Sequence, residues 1–258
     1  MIFRSYGVSD VGLRRTVNED SFFRSDTYGL YLVADGMGGH AAGEIASAQA
    51  IDIIVPFVER QLEDDSMTWP FALDRTLSAY GNALVTGIRL ANLHLCGLQQ
   101  THPELVGMGT TIAGLRLVDD EATIAHVGDS RVYRLREGKL TLLTSDHSWV
   151  NEQLQKRIIT EDEARNHRYK NVITRALGNR PDVEVDVRVE KSQVGDVYLL
   201  CTDGLTGMVP DEEIERNLNA RTDLRECGNH LVALANHAGG NDNITVVLVE
   251  VLADSESE

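Results

Sequence analysis

The sequence predicts an α+β domain built in layers, with antiparallel sheets and long helices set between the strand groups. Three observations carry this. Short apolar runs recur, each bounded by Asp, Gly or Asn, at residues 30–34, 111–118, 122–127, 131–136, 197–202 and 244–251. Two pairs of these runs are separated by hairpin-length turns, Asp119-Asp120-Glu121 and residues 136–139 (REGK). Stretches with helical spacing lie between the strand groups, without the regular strand–helix alternation of a parallel sheet.

Taken in order, the first helical stretch runs over residues 42–62. Apolar residues at 42, 45, 46, 50, 53, 54, 57, 58 and 62 share one face, and Pro56 is expected to kink it. Residues 68–99 repeat the rhythm through Leu73, Leu77, Tyr80, Leu84, Ile88 and Leu95. Leu224, Cys227, Leu231, Leu234, Ala235 and Ala238 mark a third helix before the last strand. The polar stretch 146–178 carries a capping-box pattern, Thr160 to Glu163, and reads as a small helical insertion on the surface.

The chain has 258 residues, 42% hydrophobic and 25% charged, which is ample for a core. Only residues 254–258 (DSESE) read as a disordered acidic tail. Forty acidic against 24 basic residues give a net charge of −16, which repels nucleic acid and anionic lipid. Three scattered cysteines without a CxxC spacing argue against a thiolate zinc site and a disulfide framework. No stretch reaches membrane-spanning length, the N-terminus lacks a signal-peptide pattern, and the expected setting is cytoplasmic.

The informative pattern is an apolar strand ending in Asp and a small residue. It occurs at Asp35-Gly36, Asp129-Ser130 and Asp203-Gly204, while Asp242 precedes the final strand and Asp20 lies in Asn18-Glu19-Asp20. Any one of them reads most simply as a turn. Together they could meet at one edge of a layered domain, where they could not all stay ionised without a counter-charge. An all-oxygen set without thiolates suits Mg²⁺ or Mn²⁺. Glycine after a ligand leaves room for the main-chain carbonyl of Gly36 to turn toward an ion.

Ordered motifs then carry a resemblance. They are residues 12–20 (GLRRTVNED), 35–40 (DGMGGH), 107–111 (GMGTT), 127–131 (VGDSR), 146–148 (DHS), 171–178 (NVITRALG), 201–205 (CTDGL) and 241–245 (NDNIT). In these the chain resembles the short bacterial form of the protein phosphatase 2C-like, metal-dependent Ser/Thr phosphatase family. The resemblance spans nearly the whole chain. It implies a single domain over residues 1–253, a four-layer α-β-β-α sandwich of two antiparallel sheets flanked by helix pairs, with a flap at 146–178.

The same resemblance implies site roles. Asp35 would bridge two Mn²⁺ or Mg²⁺ ions with the carbonyl of Gly36, Asp203 and Asp242 would complete the pair, and Glu19 and Asp20 would act through waters. Asp129 and Asp203 would hold a third ion, and Arg15 would grip the substrate phosphate. The implied reaction is hydrolysis of phosphoserine or phosphothreonine by a metal-bridging water. Phosphorylated proteins and a cognate Hanks-type Ser/Thr kinase are the implied partners, and the expected state is a monomer. Eukaryotic relatives place a proton-donating His where this chain has Met37; His40 is the nearby candidate general acid. In the flap, Arg157 stands where Gly is common, and Arg168 where Pro often follows His. A phosphate-binding pseudophosphatase would lack one of these acids or Arg15, all of which are present. A metal-dependent nuclease is opposed by the charge.

Overall fold

The computed structural model describes residues 1–38, 42–63, 68–165 and 167–254. Strands β1 (Ile2–Asp10), β2 (Asp20–Ser25) and β3 (Leu30–Met37) open the chain, followed by α1 (Ala42–Glu63) and α2 (Ala79–Thr101). Five strands follow, β4 (Gly109–Thr110), β5 (Ile112–Val118), β6 (Glu121–Val127), β7 (Arg131–Arg136) and β8 (Lys139–Leu142), in which β5-β6 and β7-β8 are hairpins of different sheets. Short helices α3 (Trp149–Gln155) and α4 (Glu161–Arg165) occupy the predicted insertion. Strands β9 (Asp186–Lys191) and β10 (Val197–Cys201), helices α5 (Asp203–Thr206), α6 (Asp211–Ala220) and α7 (Leu224–His237), and β11 (Ile244–Leu252) complete it.

The strands form two antiparallel sheets, ordered β1-β11-β10-β7-β8 and β2-β3-β5-β6-β9, with β4 paired to β3. Tyr31, Val33, Leu115, Ile124, Val132, Tyr198, Leu200, Val247 and Val249 fill the space between them. The outer face of the second sheet packs on α1 and α2 through Leu30, Leu32, Ile54, Leu84 and Ile88. The outer face of the first packs on α5, α6 and α7 through Leu199, Leu205, Ile214, Leu231 and Leu248. Strands covered on both faces read as continuous apolar runs, which is why β3, β5, β6, β10 and β11 stand out in the sequence. The architecture is the expected α-β-β-α sandwich.

Both predicted hairpins form. Asp119 (φ 53°) turns β5 into β6, and Glu137 (φ 51°) with Gly138 (φ 80°) turns β7 into β8. Helix α1 continues through Pro56 to Glu63. Helix α2 begins eleven residues later than the apolar rhythm suggests, at Ala79 rather than Thr68. The side chain of Ser78 caps it by accepting from the Gly81 amide, and Asn82 Nδ2 donates to the carbonyls of Asp74, Leu77 and Ser78, holding the preceding chain in a turn. The capping box in the insertion forms, with Thr160 N–H donating to Glu163 and Glu163 N–H to Thr160 Oγ1. Among the described residues no helix is long and apolar enough to cross a membrane. Of the acidic tail only Asp254 lies within the described residues.

Candidate metal centre

The ends of β3, β6 and β10 and the starts of β2 and β11 come together at one edge of the sandwich, and each brings a carboxylate. Asp20 and Asp35 lie opposite each other in the β2–β3 ladder. Asp129 follows β6, Asp203 follows β10, and Asp242 stands two residues before β11. Asp20 Oδ2 accepts from Thr202 Oγ1 at 2.9 Å and from Thr245 Oγ1 at 2.6 Å, which ties the second sheet to the first. Asp35 is fixed through its main chain. Its N–H donates to Thr111 Oγ1 (3.0 Å), and its carbonyl accepts from Thr110 Oγ1 (2.8 Å) and the Thr111 amide (2.9 Å). Thr111 Oγ1 also bonds Ser130 Oγ at 2.7 Å, linking this strand to the Asp129 turn.

Close backbone approach explains two glycines. A Cβ on Gly36 would lie 2.0 Å from the Gly43 carbonyl oxygen, and one on Gly204 would lie 1.9 Å from that of Asn243. Only glycine lets these segments pass.

The electrostatics of the edge are those of crowded, dehydrated acids. Burial, and then the charges of Asp20, Asp203, Asp129 and Asp242, push the Asp35 carboxyl well above its ordinary range. Burial raises Asp20 to about 7 against the hydrogen bonds from Thr245 and Thr202, and raises Asp129 to about 7 with help from Asp203 and Asp146. Asp203 rises through burial and Asp242, although a hydrogen bond shared with Asp35 works against it. Glu19 rises chiefly through burial. The Oδ1 atoms of Asp20, Asp129 and Asp203 are buried without a hydrogen-bond partner. Buried polar atoms in native proteins are almost always satisfied, so an oxygen-only cluster with orphaned lone pairs fits hard divalent cations.

Arg15 reaches over this cluster. Its Nη2 donates to Asp242 Oδ2 at 2.8 Å, its Nη1 lies 3.9 Å from Glu19, and its side chain stays about half exposed. Leu13 and Arg14 amides donate to the Gly240 carbonyl, pinning the loop that carries Arg15. Thus Arg15, Glu19, Asp20, Asp35, Gly36, Asp129, Asp203 and Asp242, singled out in the sequence, all gather at this edge. His40 lies outside the described residues.

Sequence reasoning missed the residues that hold the carboxylates. Asn243 accepts from the Glu19 amide (2.8 Å) and donates to the carbonyls of Val11 and Val17 (3.0 Å each), stapling the Arg15 loop to β11. Its place beside Asp242 in the 241–245 motif was the available signal. Thr202 and Thr245 lie inside the motifs at 201–205 and 241–245, but nothing there marked them as partners of Asp20.

A second cluster, His126, His147 and Asp186, places its ligand atoms within 4.8 Å of one another. It does not read as a metal site. The Arg175 guanidinium already fills the cationic position, with Nη1 on Asp186 Oδ1 and 3.1 Å from His147 Nε2.

Comparison with known proteins agrees with this geometry. The family profile described as protein phosphatase 2C matches residues 13–248. A serine/threonine phosphatase, Stp, of Listeria monocytogenes is 39% identical over 245 residues, covering 94% of this chain and 93% of its own. A putative protein phosphatase 2C-type of Streptococcus pyogenes is 38% identical over 244 residues, covering 93% of this chain and 94% of its own. The crystal structure of the Mycobacterium tuberculosis serine/threonine phosphatase PstP/Ppp superposes with a TM-score of 0.86 at 35% identity, covering 98% of this chain and 100% of that one. The catalytic domain of a serine/threonine protein phosphatase PstP, solved in complex with two manganese ions, gives 0.82 at 35% identity, covering 98% of this chain and 99% of that one. The chain belongs to the protein phosphatase 2C family. Its enzyme class is accordingly that of a metal-dependent phosphoprotein hydrolase.

Proposed function

We propose that this chain hydrolyses phosphoserine and phosphothreonine in proteins with two core Mn²⁺ or Mg²⁺ ions and a third, weaker one. Asp35, Asp203 and Asp242, with the carbonyl of Gly36, would hold the core pair, and Glu19 and Asp20 would act through coordinated waters. Asp129 and Asp203 would hold the third. When bound, such ions acidify an attacking water and neutralise charge on the phosphoryl group. The observation that carries this reading is the set of orphaned, buried Oδ1 atoms on Asp20, Asp129 and Asp203.

The protein's own groups do the rest. Arg15 offers a forked guanidinium to two phosphate oxygens, and Asp242 aims it. Thr202 and Thr245 fix Asp20, and Thr110 and Thr111 fix Asp35, so the acids need no rearrangement when substrate arrives. The protein acts as a monomer on phosphoproteins made by a Ser/Thr kinase of the same cell. Three unpaired cysteines accord with a reducing, cytoplasmic compartment.

The test is Mn²⁺-dependent hydrolysis of p-nitrophenyl phosphate and of a phosphothreonine peptide. Asp35→Asn and Asp203→Asn each lower kcat by at least about 10²–10³-fold, the scale of losing a transition-state charge contact. Wild-type turnover that persists in excess chelator, or in both variants, overturns the reading.

A further inference from the structure

We propose that His147 is a positioning residue for Asp129, fixing the turn that carries this carboxylate and so setting the affinity of the third divalent ion. The inference rests on the reading of Asp129 as a ligand.

Gly128, immediately before Asp129, has a φ of 108°, and a Cβ there would lie 2.6 Å from the Thr111 side chain. The turn is therefore sharply bent and pressed against β5, and it needs something to hold it. Both of its main-chain polar groups are spent on one residue. The Gly128 amide donates to His147 Nδ1 at 3.0 Å, and the His147 amide donates to the Gly128 carbonyl at 2.9 Å.

The imidazole is locked in turn. Because Nδ1 accepts, the proton of the neutral ring sits on Nε2, which lies 3.3 Å from Asp186 Oδ2 and 3.1 Å from Arg175 Nη1, with the Asp186 carboxylate between them as the acceptor. Arg175 Nη1 holds the other oxygen of Asp186. His126 stacks on the ring at 4.8 Å between centroids and 16° between planes, and its own Nε2 is bonded to the Ser145 carbonyl. His147 is buried, with 8% of its surface exposed. It also sits where the flap joins the sheets, since the Thr174 amide donates to the His147 carbonyl. A group that orients a metal ligand from behind changes metal affinity about 10- to 100-fold when lost.

Two substitutions separate the two ring nitrogens. In His147→Asn the side-chain oxygen can stand in for Nδ1, whereas in His147→Gln the amide reaches only toward Nε2. Mn²⁺ binding is measured calorimetrically on the full chain, with Asp129→Ala as reference and thermal unfolding as a check on folding. Asp129→Ala loses the weakest binding step. His147→Gln weakens that same step about 10- to 100-fold and leaves the tighter steps alone, while His147→Asn stays close to wild type.

Equal weakening in both His147 variants, or none in His147→Gln, overturns the inference while leaving Asp129 a ligand. Retention of every step in Asp129→Ala overturns the ligand reading and the inference with it. The wild-type protein supplies a second readout that no folding defect can confuse. The ¹⁵N resonances of His147 show the Nε2–H tautomer, and Nδ1 shifts as the last equivalent of Mg²⁺ binds; a different tautomer or an unmoved Nδ1 contradicts the proposal.

Discussion

Asp20, Asp129 and Asp203 each keep a buried carboxyl oxygen with no hydrogen-bond partner, whereas Asp146, Asp186 and Asp196 each carry an arginine. Arg131 grips Asp146 through two bonds of 2.9 and 2.7 Å, and Arg136 grips Asp196 through two of 2.7 and 2.6 Å. Both groups are made of aspartates beside strand ends, and all but Asp186, whose side chain is 40% exposed, are largely shielded from water. They differ in what neutralises them. Burying an unpaired carboxylate costs several kcal/mol; the second group offsets this with fixed cations of the chain, and the three Oδ1 atoms of the first have no protein partner. The difference teaches that the first group suits an exchangeable cation, as the proposed metal reading requires, whereas the second is already neutralised by the chain.

This contrast gives opposite pH signatures. Asp20 and Asp129 sit near 7 in the folded chain, above the ordinary value of about 3.9 in an unfolded one. Between those values the folded state binds more protons than the unfolded state, so metal-free stability falls as pH rises toward 7 and levels off above it. Asp186 has the other sign. Burial would raise it, but the hydrogen bonds from His147 and Arg175 prevail and hold it below its ordinary value, so its contribution is present at neutral pH and lost in acid. Calorimetric melting in chelator should therefore drop on the order of 10 °C between pH 5.5 and 8. With saturating Mn²⁺ the trend should flatten or reverse. A chelated protein that grows more stable with pH across this window would break the comparison.

Neutralising one acid from each group sharpens it. Asp146→Asn weakens the doubly bonded Arg131 and should cost about 2–3 kcal/mol in urea unfolding at neutral pH. Asp129→Asn, only a turn away, removes a crowded charge and should leave metal-free stability unchanged or higher. Matching losses in the two variants would mean that both acids are paired in solution.

How much of this was legible in the sequence follows the same physics. Strands β3, β5, β6, β10 and β11 are covered on both faces, and their apolar runs announced them, together with the Asp that ends or borders each. Strands β1, β2 and β9 lie at sheet edges, where residues such as Val187 and Val189 stay exposed and polar residues alternate irregularly. No periodicity marked them. The carboxylates could be read because each follows a local pattern. Their supports could not, because Thr245 to Asp20 and Asn243 to Glu19 span 225 and 224 residues and exist only once the two sheets meet.

Backbone strain separates the two regions once more, on a smaller scale. At the metal edge the left-handed positions are glycines, among them Gly12, Gly128 and Gly240. In the flap Arg157 has a φ of 56°, just past the end of α3. Its amide donates to the Leu154 carbonyl and that of Ile158 to the Gln153 carbonyl, both at 2.9 Å, so it occupies the helix-ending position that favours glycine. An L-residue there costs about 1–2 kcal/mol, but glycine also adds about 0.5–1 kcal/mol of unfolded-state entropy. Arg157→Gly should therefore stabilise the chain by only about 0.5 kcal/mol in urea unfolding, with hydrolysis of p-nitrophenyl phosphate unchanged. A loss of stability instead would mean that the Arg157 side chain makes a compensating contact, and would place the flap with the paired acids as a region held by its own arginines.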